Sequence, residues 1–478
     1  MTIYASIPPF WKRWLSGHPH LPTHLPRLLL AARHQPRFVR RCPVTQSLIP
    51  LLTQLEWEQL PTSVAGKRTE WRLTPLAAYV GAYLLKLEQG LSTFGRLRAF
   101  LRDHPALIWA LGFPLVADAR QVQGFDIEAS LPTQRHFSRK LSELPNEVLQ
   151  NLLDGQVSWL QSQLGHDFGQ VVSFDTKHVL AWVRENNPKA YIAAGRFDKT
   201  QQPAGDPDCK LGCKRRHNQK RPTREGQAAS EKVGVGEYYW GYASGVAATK
   251  LPLFGEFVLA ELTQTFDKGD ATYFFPLMEQ VERRLGFRPP FGTGDAAFDN
   301  FYVHEYFHSE QQAGFAAVPL RQMNERRTFD EQGLPLCAAG LAMPLTGTFI
   351  NRTSLVQHQR GRYGCPLLHP QPSGTCCPID HPDWPAGGCK LVMPTAVGAR
   401  RRYQLDRDSA QYQQVYQQRT AVERIFSQAV ALGIERPKLR NQLAIANQHT
   451  LTYLLINLRA MQRVTALLAQ RAEPRHDR

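Results

Sequence analysis

The 478-residue sequence has no apolar run long enough to cross a bilayer. Two of its uncharged apolar stretches, 73–85 and 105–117, are thirteen residues each, and Gly112 and Pro114 break the second. A helical span needs about 20 such residues, so a transmembrane protein is not expected. Nor is a secretory leader, because Pro8, Pro9 and Lys12 interrupt the N-terminus where one would be apolar. Cysteine is scarce: eight residues, unevenly spread, do not make a disulfide scaffold. A reducing cytoplasm is the expected compartment. No Gly-Lys-Ser/Thr follows Gly292-Thr293-Gly294, which argues against a nucleotide-binding phosphate loop, and no nucleophile elbow is present. Acids are also in deficit, 41 against 57 Lys and Arg, for a net charge of +16. That excess favours a polyanionic partner, most simply nucleic acid.

What is present is ordinary globular material, 42% apolar and 21% charged, long enough for two to four domains. Up to about Gly165 the pattern is helical. Thr74-Pro75 opens an apolar helix through Leu85, Leu91–Leu101 has helical spacing, and Pro132–Leu153 repeats it. Arg96, Arg98, Arg135, Arg139 and Lys140 on these helices fit either a solvated face or a DNA contact. Beyond Gly165, strands are expected at Val171–Phe174, Val179–Val183, Tyr238–Val246, Phe254–Leu262, Phe291–Gly294 and Phe315–Pro319. Helices are expected at Thr272–Leu285, Phe301–Gln312, Ser409–Leu432 and Asn441–Leu468. Strands first, then alternating helix and strand, imply a mixed α/β sheet covered by helices.

Three acids stand out. Asp175 follows the apolar run Val171–Phe174 at the end of an expected strand, and Asp295 follows the short strand Phe291–Gly294. Asp299, just after it, reads as a cap for the next helix. Glu423 shares a helix face with Tyr416 and Arg419 at spacings of three and four, bordering the apolar face of Val422, Ile425, Phe426 and Ala429. Each acid alone has a structural explanation. Together, two strand-end aspartates and a helix glutamate can converge on Mg²⁺, which takes oxygen ligands and keeps several waters. Two such ions serve in-line phosphoryl displacement, with Mn²⁺ able to substitute.

The segments VVSFDTKH, GTGDAAFD and YQQRTAVERIF resemble the three catalytic motifs of DDE transposases from bacterial insertion sequences, in the branch with a Tyr-x2-Arg-x3-Glu signature. LSTFGRLRAFLRDHPALIWALGF and LPTQRHFSRKL are similar to the helical region that precedes the core in that family. The resemblance implies a ribonuclease H-like fold, with Asp175, Asp295 and Glu423 as catalytic metal ligands. Tyr416 and Arg419 would position the scissile strand. It implies a helical DNA-binding region at 1–165, a catalytic core at 166–319 and 396–470 and an insertion subdomain at 320–395, while the polar composition of 471–478 points to a frayed tail. It also implies double-stranded DNA as partner (terminal inverted repeats and target) and a homo-oligomer assembled on DNA at the nucleoid. A nuclease on the same fold and an inactive DNA-binding descendant are the alternatives. The family usually carries Lys or Arg seven residues after the Glu; here that residue is Val430, and Arg436, Lys438 and Arg440 lie further on.

Two further features bear on partners. Lys210, Lys214, Arg215, Arg216, Lys220, Arg221 and Arg224 occur without an acid among them, and are expected to form a phosphate-tracking loop. In the Pro- and Gly-rich stretch, Cys337, Cys365, Cys376 or Cys377, and Cys389 can supply four soft ligands to a structural Zn²⁺. The spacing lacks paired C-x2-C knuckles, and reduced structural thiols are the other reading.

Overall fold

Residues 21–62, 74–122, 124–187, 196–215, 236–308, 314–321 and 327–472 are described by the computed structural model of the chain. The first part is helical, as its periodicity predicts: α1 (Pro43–Leu52), α2 (Leu76–Glu88), α3 (Phe94–Asp103), α4 (Pro105–Leu111), α5 (Gln134–Glu143) and α6 (Asn146–Leu164). Pro75 is the residue flanking α2 rather than its first turn, and α2 continues three residues beyond Leu85. Every residue of α2 from Leu76 to Leu87 is buried, so this helix is the centre of the bundle. The expected single helix Pro132–Leu153 is instead two, α5 and α6. Pro145 forces Leu144 into an extended conformation and has no N–H to continue the first helix.

The chain then builds a six-stranded mixed sheet: β1 (Val171–Leu180), β2 (Lys210–Arg215), β3 (Gly236–Leu251), β4 (Gly255–Thr265), β5 (Phe291–Thr293) and β6 (Phe315–Ala317). The long central order is β4–β3–β1–β5–β6, with β4, β3 and β1 antiparallel and β1, β5 and β6 parallel. β2 pairs with the first half of β3, from Gly236 to Gly241, and β4 with the remainder. Val171–Phe174 and Val179-Leu180, expected to belong to two strands, lie in one continuous strand, and the expected remainder Ala181–Val183 falls beyond its end. The intervening Asp175–His178 is held in the ladder by Val246–Ala243 opposite.

Between β4 and β5 lies α7 (Phe274–Leu285), and between β5 and β6 lies α8 (Phe301–Phe307). The helix expected over Phe301–Gln312 thus ends early, and residues 309–313 fall outside the described set. The stretch from 320 to 395 carries a small antiparallel sheet of β7 (Leu345–Asn351), β8 (His358–Tyr363) and β9 (Leu391–Pro394), in the order β9–β8–β7. Four helices follow: α9 (Val397–Gln404), α10 (Ala410–Tyr416), α11 (Thr420–Ala431) and α12 (Gln442–Ala472). α12 extends through Arg471, whose guanidinium lies over the Phe254 ring, and residues 473–478 of the expected frayed tail lie outside the described residues.

α12 is the spine of the molecule. It packs against β4 of the sheet and against α6, α5 and α2 of the helical part, so one buried apolar cluster runs from Leu25 to Val464. Its contact with the sheet is polar as well as apolar. Asn457 bonds both backbone groups of Val258 on β4, and Thr450 donates to Glu261 at 2.6 Å. No helix among the described residues is long and apolar enough to cross a membrane.

Candidate active site

The parallel pairing of β1 with β5 runs Val171 with Phe291 to Ser173 with Thr293 and then stops, because β5 ends. Asp175 and Asp295 are each two residues past that last pair. Asp175 is therefore not at a strand end, as the sequence implies, but within β1 at the point where its parallel neighbour gives out. Its side chain and that of Phe174 face opposite sides of the sheet. Phe174 packs against the rings of Phe274 (5.3 Å) and Phe298 (4.9 Å). A Cβ at Gly294 would come within 2.7 Å of the Phe174 ring, which explains the glycine next to Asp295. Asp295 accepts the Ala297 N–H at 2.8 Å, a bond that fixes the tight turn after β5.

A third aspartate, not singled out in the sequence, joins them. Asp270 opens the short 3₁₀ turn Asp270–Tyr273 and accepts the Thr176 hydroxyl at 2.5 Å. Tyr273 seats this turn on the sheet by donating its hydroxyl to Ala243 O, and its ring lies where a Cβ of Gly245 would be, at 2.3 Å. Gly245 pairs with Thr176 across β3 and β1. The glycine thus admits the tyrosine that brings Asp270 beside Asp175. In sequence Asp270 reads as an ordinary helix-start acid, so nothing but its place behind a long strand marked it.

The electrostatics follow from this crowding. Burial, then the charges of Asp295 and Asp270, push the Asp175 carboxyl up to about 7, against the opposing effects of a Thr176 N–H bond and Arg419. Asp295 is raised as well, by burial and by Asp270. Asp299 has a different role from the helix cap expected of it. It is buried and bound to His304, to the Arg321 N–H and to the Nε and Nη2 groups of Arg402. Burial works against its charge, yet these partners hold its carboxyl down at about 2. Asp299 anchors α9 to the core and is spoken for.

Glu423 stands apart from the aspartates and is tied to them through Arg419. The Arg419 guanidinium pairs with Glu423 at 2.6 Å and lowers both Asp175 and Asp295. The expected single helix Ser409–Leu432 is interrupted at this motif: Gln417–Arg419 form a 3₁₀ turn between α10 and α11. Tyr416, Arg419 and Glu423 still form a row, with the guanidinium 6.0 Å from the Tyr416 ring. The apolar face of α11 packs as its spacing predicts, Val422, Ile425, Phe426 and Ala429 lying with Val246, Ala248 and Val258 of the sheet.

The described part of the basic run is a strand, not a loop. Lys210–Arg215 form strand β2, anchored by buried Leu211, with Lys210 and Lys214 exposed. Alternation with Leu211 and Cys213 and pairing to Gly236–Gly241 override the charge pattern that reads as a loop. Arg216, Lys220, Arg221 and Arg224 lie outside the described residues. In the insertion, Cys389 is pushed up to about 12 by burial and by the neighbouring Cys365 and Cys337, so three of the named cysteines gather there. Cys376 is exposed. Among the described residues, no group of three or more His, Cys, Asp or Glu side chains is arranged to hold a metal ion. The donors around Asp175 are nonetheless all carboxylate oxygens whose charges disfavour one another, a set that fits a hard divalent cation. No protein-family model matches the chain, and no curated protein does so either.

Proposed function

We propose that the protein is a metal-dependent enzyme of phosphodiester chemistry built on a ribonuclease H-like core. More particularly, we read it as a DNA transposase that cuts at transposon ends and joins them to target DNA. The observation that carries the reading is the approach of Asp175 and Asp295 at neighbouring strands of a sheet ordered β4–β3–β1–β5–β6, with its first three strands antiparallel and the rest parallel. The motif resemblance implies a ribonuclease H-like fold, and a mixed sheet covered by helices is in keeping with it. The Tyr416–Arg419–Glu423 row beside the two aspartates adds to it.

Asp175 and Asp295 would hold divalent cations, with Asp270 beside them and Glu423 reaching in once freed from Arg419. When bound, such ions activate water and stabilise the leaving oxygen. Arg419, with its planar fork, is suited to gripping the scissile phosphate. Tyr416 supports that guanidinium from the side. The exposed Lys210 and Lys214 on β2 would contact backbone phosphates without regard to sequence. DNA is the partner, engaged by an oligomer.

The test is Mg²⁺-dependent cleavage of DNA carrying the element's ends, wild type beside Asp175→Asn and Glu423→Gln. Cleavage lost in both variants with DNA binding retained is the expected result, and joined end–target products separate a transposase from a nuclease. Cleavage retained by both variants would mean that other acids do the work. Binding without cleavage by the wild type would favour an inactive descendant.

A further inference from the structure

A second site lies at the C-terminal end of α11, where the helical part meets the segment that follows it. A cavity of about 760 Å³ is lined by Lys86, Arg135, Arg436 and Lys438 and by no acid. Two helices begin at its wall. Thr93 caps α3 by accepting the Arg96 N–H, and Thr133 caps α5 by accepting the His136 N–H, both at 3.2 Å. The starts of the two helices abut: Gln134 Oε1 lies 2.9 Å from where a Cβ of Gly95 would be. Each start adds partial positive charge and free N–H groups to the same wall.

Lys86 is the telling residue. It sits in the last turn of the most buried helix and is only 7% exposed, yet among the described residues its ammonium has no hydrogen-bond or ion-pair partner. Its one close neighbour of note is the Phe94 ring, 5.5 Å away. Burial alone draws the ammonium down to about 8. A buried cation without a counter-ion is costly, and the cavity it lines is where the counter-ion would enter.

We propose that this cleft binds the sugar–phosphate backbone of duplex DNA, with Lys86, Arg436 and Lys438 each meeting a phosphate; the choice of DNA rests on the transposase reading. The segment that supplies Arg436 and Lys438 is fastened to the strand bearing Asp175. Leu180 N–H donates to Glu435 O at 2.9 Å, and Lys177 pairs with Glu435 at 2.6 Å. Leu180 is five residues from Asp175, or ~17 Å along the strand, which is roughly five base steps of duplex at ~3.4 Å each. Arg436 also faces an adjoining groove of about 490 Å³ with Arg440 and the half-exposed Trp182, whose ring lies under Lys438 at 5.5 Å. The basic contact absent at Val430 is thereby supplied a short distance downstream.

The experiment is fluorescence anisotropy of two labelled duplexes, one carrying the element's ends and one unrelated, over a salt series. Lys86→Met and the double variant Arg436→Gln/Lys438→Gln are compared with wild type. Lys86→Met is expected to weaken both duplexes several-fold and to lower the salt slope by about one. The double variant should lower the slope by about two. Because methionine replaces a lone buried charge by an apolar chain of similar length, Lys86→Met should keep or raise the thermal midpoint. Unchanged affinity and slope would overturn the proposal, and so would a Lys86→Met protein that binds normally or melts earlier. Wild type that binds DNA through these residues but never cuts it would bring down the cleavage reading and leave this site standing. Protein that cuts DNA while every cleft variant binds at wild-type strength would do the reverse.

Discussion

Asp175→Asn should make the metal-free protein more stable while abolishing cleavage. The carboxyl of Asp175 is pushed up to about 7 from an ordinary value of 3.8, chiefly by burial and then by Asp295 and Asp270. A folded-state value raised above the unfolded one means stability that is present below about pH 4 and lost as pH rises through about 7. At ~1.4 kcal/mol per pH unit, the strain at pH 8 is about 4 kcal/mol as an upper figure. Solvent reaching a half-buried side chain reduces it to about 2 kcal/mol. Asparagine carries no charge and can still accept the Thr176 N–H, which Asp175 now accepts at 2.7 Å. Urea unfolding followed by tryptophan fluorescence at pH 4 and pH 8 reads the difference: near zero at the lower pH, about 2 kcal/mol in favour of the variant at the higher. Mg²⁺ at a hundred times its Kd should add about 2.7 kcal/mol to the wild type at pH 8 and much less to the variant. A variant less stable than wild type at both pH values, or equal stabilisation of both proteins by Mg²⁺, would refute the reasoning.

Three further outcomes follow from buried groups. Arg402→Ala leaves the fully buried Asp299 with His304 and one N–H, and should cost about 3 kcal/mol in urea unfolding. The Asp299 carboxyl, held at about 2, supplies stability present above about pH 4 and lost as pH falls toward 2, so the acid limb of the wild-type profile should flatten in the variant. Glu261, pushed up to about 7 by burial under α12, works in the opposite sense: its contribution is full below about pH 4.5 and gone above 7. Glu261→Gln should therefore gain on the order of 3 kcal/mol on wild type between those values, and a parallel pair of profiles would contradict the assignment. Under native alkylation at pH 8, the exposed Cys213 and Cys376 should react first and Cys209 and Cys389, both pushed up to about 12, last, as peptide mapping would record.

The sequence makes legible those features that depend on neighbours along the chain. The helical spacing of Val422, Ile425, Phe426 and Ala429 translated directly into the face that packs on the sheet, because that face is a property of one helix. Strand ends and helix breaks were less legible. Asp175 reads as a strand terminus because apolar residues stop there, but the ladder continues through polar Thr176 and Lys177 while Val246 to Ser244 pair opposite them. The Gln417–Arg419 turn is built from residues that favour an ordinary helix, so the interruption arises from what α10 and α11 pack against, not from local preference. Asp270 and Lys86 were invisible for a related reason. Asp270 matters because Gly245, on another strand, lets Tyr273 down onto the sheet, and Lys86 because segments more than 300 residues later close a cavity over it.

The two sites have opposite charge, and that contrast bears on how they would work together. The chain as a whole is at +16, and its clefts beside α11 and β1 carry Lys86, Arg436, Lys438 and Arg440. Asp175, Asp270 and Asp295, with Glu423 at their edge, form a local reversal of that field, relieved mainly by Arg419. On the proposed reading, a phosphate drawn in by the basic clefts would be repelled over its last stretch by these acids. Two things can offset the repulsion: a divalent cation held among the carboxylates, or Arg419 swung from Glu423 toward the phosphate. The second frees Glu423 as a ligand and so favours the first. On the proposed reading, an Arg419 drawn from Glu423 to a phosphate would leave that carboxylate for a cation, so entry of metal and entry of DNA would favour each other.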